Sequence, residues 1–157
     1  MKKIGFLIIA AIMILSCNQE KSSTTEHKHD EHKCCADSVI KDGVFIHITE
    51  SYNDPHRVLM PLKMATMMAE DKDVLVYMDI KAVELLVKDA KDLTYGDFES
   101  CHTYIKMLVE KNVGVYACPT CLAIAGFKAE DLMEGVKTAE KDKFFNFTKG
   151  RIITLDY

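Results

Sequence analysis

Val113-Gly-Val-Tyr-Ala-Cys-Pro-Thr-Cys-Leu122 carries a short β-type run into two cysteines three residues apart, where the pattern turns toward a helix. A strand ending where a helix begins sets Cys118 among backbone N–H groups that lack intrahelical partners, at the positive end of the helix dipole. Both favour thiolate over thiol. Cys118 is therefore the first candidate nucleophile, with Cys121 beside it. The pair also has the spacing of half a zinc site, which needs two further ligands; Cys101 and scattered histidines are what the rest of this segment offers. The plainest alternative is two small, semi-apolar side chains packed at a strand-to-helix corner.

Outward from this stretch the pattern alternates. Val44-Phe-Ile-His-Ile48 reads as a strand, and Asn53-Asp54-Pro55 then supplies a cap and a first-turn proline. Val58, Leu59, Leu62, Ala65, Met68 and Ala69 recur at helical spacing, predicting an amphipathic helix to about Ala69. Val74-Leu-Val-Tyr-Met78 is a near-continuous apolar run, as in a strand buried on both faces of a parallel sheet. A short helix from Val83 to about Val87 follows, then a longer one with Phe98, Cys101, Ile105, Leu108 and Val109 on one face. After the cysteines come a brief helix closed by Gly126, another over Asp131 to Thr138, and a β-branched strand over Arg151 to Asp156. Strands alternating with helices imply an α/β fold, a small three-layer sandwich whose mostly parallel sheet is flanked by helices. Function in such sheets gathers beyond the carboxyl ends of the strands. Those ends offer His47 and Thr49, Asp79, and Cys118.

Asn53-Asp-Pro-His-Arg-Val58, the strand ending at Asp79, and Gly114-Val-Tyr-Ala-Cys-Pro-Thr-Cys-Leu122 followed by Gly126 and Asp131-Leu132 resemble the DsrE/DsrF-like sulfur-relay family over nearly all of residues 43–157. The resemblance implies a small α/β domain assembling as trimers or hexamers, with a cysteine at the end of the third strand that carries sulfur as a persulfide. Cys118 matches that position, and Cys121 matches the second cysteine of members that have a pair. Well-described relays of this kind work in the cytoplasm with partner proteins.

Compartment is read from the other end of the chain. Lys2 and Lys3, the apolar run Ile4 to Leu15, and Ser16-Cys17 form the regions of an export signal, too short to span a membrane comfortably. Ile14-Leu15-Ser16-Cys17 resembles a bacterial lipobox, with Leu15 where a smaller residue is usual. On that reading residues 1–16 are a lipoprotein signal peptide, Cys17 is the lipidated residue, and the product is held on the periplasmic or cell-surface side of a bacterial membrane by its acyl chains. Loss of Lys2 and Lys3 moves the formal charge from −4 to −6. No basic face is interleaved with aromatics, which excludes nucleic acid as a partner. Residues 17–41 read as a polar tether ahead of the folded domain at 42–157. Within it, His27, His29, His32, Cys34 and Cys35 concentrate imidazole and thiol donors suited to zinc or copper. Adjacent cysteines do not pair comfortably with each other.

Three functions remain open. In the first, a sulfur carrier or sulfurtransferase-like protein, Cys118 takes sulfane sulfur from a donor protein or small sulfur species and Cys121 assists release, with no cofactor required. The second is an extracytoplasmic dithiol–disulfide oxidoreductase using Cys118 and Cys121, although the chain has no Trp and no proline after Pro119. The third is a non-enzymatic metal-binding lipoprotein using the His27–Cys35 tether. Met60, Met64, Met67 and Met68, at helical spacing, read as packing residues more than as a copper site.

Overall fold

The computed structural model describes residues 39–144 and 146–157. The expected leader, the expected lipidation position Cys17 and the candidate metal ligands His27, His29, His32, Cys34 and Cys35 lie outside them.

Five strands make one all-parallel sheet: β1 (Gly43–Ile48), β2 (Asp73–Met78), β3 (Gly114–Ala117), β4 (Lys137–Thr138) and β5 (Ile152–Asp156), in the order β4-β3-β2-β1-β5. The strand succession starts in the interior of the sheet at β1, steps outward to β4, and returns across it to place β5 against the other side of β1. Side-chain alternation then divides the labour. Val44, Ile46, Ile48, Val74, Val76, Met78, Val115 and Ala117 form one core with α1 (Pro55–Met68) and α2 (Cys101–Glu110). Each fully buried aliphatic side chain there contributes about 1.5–3 kcal/mol of transfer free energy. The intervening positions Phe45, Tyr77 and Tyr116 face the other way and converge on Phe144 of α4 (Lys141–Phe144). Among the described residues the third layer is thus a single helical turn whose Phe144 ring packs on the sheet.

Local chemistry explains the helix ends. Asp54 accepts from the Arg57 N–H and Pro55 opens α1. Ser100 accepts from Thr103 N–H, so α2 begins at Cys101, with Phe98 still in the loop before it. The six-residue α3 (Pro119–Ile124) ends in a Schellman arrangement: Phe127 N–H bonds Leu122 O at 3.0 Å, Gly126 N–H bonds Ala123 O at 3.1 Å, and Gly126 takes φ +85°.

The expected helix over Asp131 to Thr138 does not form. Only a 3₁₀ turn at Ala129–Asp131 precedes an extended run into β4. Backbone groups of this stretch are taken by a neighbour instead of by one another: Lys88 N–H bonds Asp131 O, Met133 N–H bonds Leu86 O, both at 2.9 Å, and Leu132 bridges Val87. Gly135 at φ +83° then turns the chain, a conformation incompatible with a helix interior.

Candidate functional site

Cys118 sits one residue beyond β3, and β2 holds it in place: its N–H donates to Met78 O at 3.0 Å, continuing the ladder past the last strand residue. It is also the N-cap of α3, with φ −64° and ψ 119°, and its Sγ accepts from Cys121 N–H at 3.5 Å. Because α3 has only six residues, the local N–H groups matter more than a long helix dipole. Partial burial by itself pushes the Cys118 thiol up. The Tyr77 hydroxyl, the Cys121 N–H and thiol, and the Thr120 N–H together outweigh it and hold Cys118 below the ordinary thiol range.

Cys121 moves the opposite way. Burial raises it, and the adjoining Cys118 and the negative charge of Asp79 add to that, although the Ile80 N–H faces its sulfur. Ile80 presents that N–H from φ +51°, a strained setting for a β-branched residue. The two thiols are therefore unequal: Cys118 ionises first, and Cys121 remains a thiol able to donate to it. Both are free, as is Cys101. Cys101, the first residue of α2, is fully buried, its thiol pushed up to about 12 by burial and by Asp92.

Sequence reasoning passed over Tyr77. Its ring lies on the second face of the sheet, beside Tyr116 of β3 two residues before Cys118, and burial together with the nearby Cys118 sulfur keeps its hydroxyl protonated, as a donor toward that sulfur. The one readable signal was a hydroxyl-bearing side chain in an otherwise aliphatic strand, two residues before a carboxylate. The same ring stacks on His47, with centroids 5.5 Å apart and planes 25° from parallel. His47 Nδ1 lies 2.7 Å from Asp156 Oδ1, and Nε2 lies 2.9 Å from Asp79 Oδ1, the latter a close ion pair off the ideal hydrogen-bond line. Burial lowers the imidazole, but the two carboxylates outweigh it and raise His47 above its ordinary value. No side chain caps Ala82–Leu86, and the Asp79 carboxylate turns to His47 instead.

Thr49, His56, His102 and the methionines of α1 lie apart from this cluster. Thr49 bonds the Tyr157 carbonyl through both its N–H and its hydroxyl, each at 3.2 Å. His56 stacks on Tyr95 and Phe98. His102 N–H donates to Asp92 Oδ1 at 3.0 Å. Met64 Sδ accepts from the Tyr157 hydroxyl at 3.3 Å, and Met67 is exposed, so the methionines do not converge. Among the described residues no three His, Cys, Asp or Glu side chains are placed to hold a metal ion. A groove of about 870 Å³ opens at the opposite, amino-terminal edge of the sheet between Lys72, Asn112 and Phe147, away from the cysteines.

Comparison with known proteins adds an independent line. The ychN protein from E. coli has a solved structure that superposes with a TM-score of 0.59 at 18% identity, covering 73% of this chain and 99% of that one. A protein of unknown function from Methanobacterium thermoautotrophicum, MTH1491, superposes with a TM-score of 0.53 at 20% identity, covering 72% and 98%. At these identities the likeness is one of fold. No curated protein matches. The DsrE/DsrF-like family matches residues 42–153, which takes in β1 through β4, the cysteine pair and the start of β5. The chain therefore belongs to the DsrE/DsrF-like family.

Proposed function

We propose that this protein is a sulfur carrier, sulfurtransferase-like in its chemistry, that holds sulfane sulfur as a persulfide on Cys118. The observation that carries the reading is the environment of one atom: a partly exposed sulfur at the carboxyl edge of the sheet, faced by the Tyr77 hydroxyl and by backbone N–H groups. In loading, the Cys118 thiolate attacks the outer sulfur of a donor persulfide RS–SH. The Sγ–S bond forms as the donor S–S bond breaks, and the electron pair leaves on RS⁻, so sulfur moves with no net oxidation. The donors that stabilise the thiolate suit the persulfide anion as well. Discharge has two routes. A thiolate acceptor can take the outer sulfur directly, or Cys121 can attack Sγ, closing a Cys118–Cys121 disulfide and releasing HS⁻.

The proposed setting is outside the cytoplasm, on a lipid attached at Cys17, and in a trimer or hexamer. The leader pattern supports the first two and the family supports the third. Zinc or copper on His27, His29, His32, Cys34 and Cys35 rests on donor density alone.

Intact mass of the reduced full chain after exposure to inorganic polysulfide is the test. The expected result is retention of sulfur at Cys118, lost in Cys118→Ser and kept longer in Cys121→Ser. Formation of a Cys118–Cys121 disulfide with no retained sulfur in either protein overturns the carrier reading in favour of a dithiol–disulfide oxidoreductase.

A further inference from the structure

Asp156 lies beyond residue 153, where the family match ends, yet its carboxylate is 2.7 Å from His47 Nδ1. The contact spans β1 and β5, where the strand order reverses, the usual place for function in an open α/β sheet. Cys118 is two strands away, just past the end of β3, and Tyr77 of β2 lies between them: its ring stacks on His47, and it pairs with Tyr116, two residues before Cys118, with its hydroxyl near the cysteine sulfur.

Resting on the carrier reading, we propose that His47 is a positioning residue for Cys118 that acts through Tyr77. Clamped between two carboxylates, it is an imidazolium stacked on the phenol ring, and it strengthens the O–H that donates to the Cys118 sulfur. The protonation state follows from geometry: each ring nitrogen faces a carboxylate oxygen, and only the cation has an N–H for both. A cation against the ring draws electron density from the phenol, and a more polarised hydroxyl is a better donor to a sulfur anion.

The charged and titratable groups around this line come from every neighbouring element. β1 gives His47, β2 gives Tyr77 and, just past its end, Asp79, β5 gives Asp156, and α3 gives Cys121. From α4 comes the uncharged ring of Phe144, 4.8 Å from Tyr77.

The rate at which iodoacetamide alkylates Cys118, followed by peptide mass across pH in the reduced full chain, reads the thiolate without any sulfur donor. Tyr77→Phe is expected to slow the reaction at neutral pH about tenfold, one unit in the thiol's acidity. His47→Gln should slow it about threefold, roughly half a unit, and should have no further effect when Tyr77 is already Phe. His47→Arg, a planar cation able to meet both carboxylates, should restore the rate. Asp156→Asn, at an exposed position, should move the profile the same way as His47→Gln and is the arm to use if that variant misfolds. An equal His47→Gln effect in both backgrounds, or no shift in any variant, overturns the proposal. Polysulfide loading of the same proteins separates the two claims. Coupling without sulfur retention overturns the carrier reading and leaves the positioning intact, and sulfur retention without coupling does the reverse.

Discussion

Replacing Cys118 by serine should remove the proposed chemistry and stabilise the domain. Cys118 is the N-cap of α3, and its sulfur accepts the Cys121 N–H at 3.5 Å, a long contact to a weak acceptor. A serine hydroxyl is among the preferred N-cap acceptors, and the backbone at φ −64°, ψ 119° already has the extended setting that a cap requires. An N-cap hydroxyl is worth about 0.5–2 kcal/mol over alanine. The present thiol supplies part of that, so Cys118→Ser should gain about 0.5–1 kcal/mol, while Cys118→Ala should lose a similar amount. The hydroxyl can also keep the bond from Tyr77. For a domain of this size the gain corresponds to a rise in Tm of about 2–6 °C. Urea unfolding in reducing buffer at mildly acidic pH, where the sulfur is a thiol, should rank the proteins Ser, Cys, Ala. Equal stability of the alanine and serine variants would refute the argument that this residue caps the helix. The predicted order means that cysteine is the less stable choice at this position, as expected of a residue held for reactivity.

Stability should also depend on pH through His47. A histidine raised in the folded state contributes in full below its unfolded value of about 6.5 and loses that contribution as pH rises through the folded value. The urea midpoint should therefore decline from near-neutral pH upward, and His47→Gln should flatten that limb; an unchanged slope counts against the clamp. The series belongs in a Cys118→Ser background, because a thiol held below its ordinary range contributes with the opposite sign. Gly135→Ala should cost about 2–4 kcal/mol, since a Cβ there overlaps Cγ1 of Val109 and φ +83° is already unfavourable to alanine; circular dichroism melting checks it. Cys101, fully buried, should resist iodoacetamide in the native protein and react only after denaturation, and labelling at a rate similar to Cys118 contradicts its placement.

The elements that the sequence made legible are those whose periodicity is long or whose punctuation is chemical. Short apolar and β-branched runs gave β1, β2, β3 and β5, and Asn53-Asp54-Pro55 marked the start of α1. Gly126 gave the end of α3 because a Schellman turn needs φ > 0 at that place. The stretch 131–138 misled because its apolar residues recur at spacings close to helical while its backbone bonds go to residues 86–88, a pairing invisible locally. Two-residue β4 and one-turn α4 are too short to leave a period. At the site, Cys118 and Cys121 announced themselves by residue type. Tyr77 and the clamp on His47 did not, because they depend on which strands are neighbours, and the placement of β5 beside β1 is a fact of topology.

That topology orders events during folding. β1 and β2 can associate once the segment between them has formed, but the other edge of β1 waits for residues 109 positions away at His47 and Asp156. Closing so large a loop makes docking of β5 a late step in this chain's contact order, and until it occurs β1 is an open edge able to recruit strands from other molecules. The imidazole acquires its second carboxylate only at that step. A nascent or partly unfolded copy thus carries its cysteines without the finished clamp, and on the proposal above its Cys118 reacts about threefold more slowly until the sheet is complete.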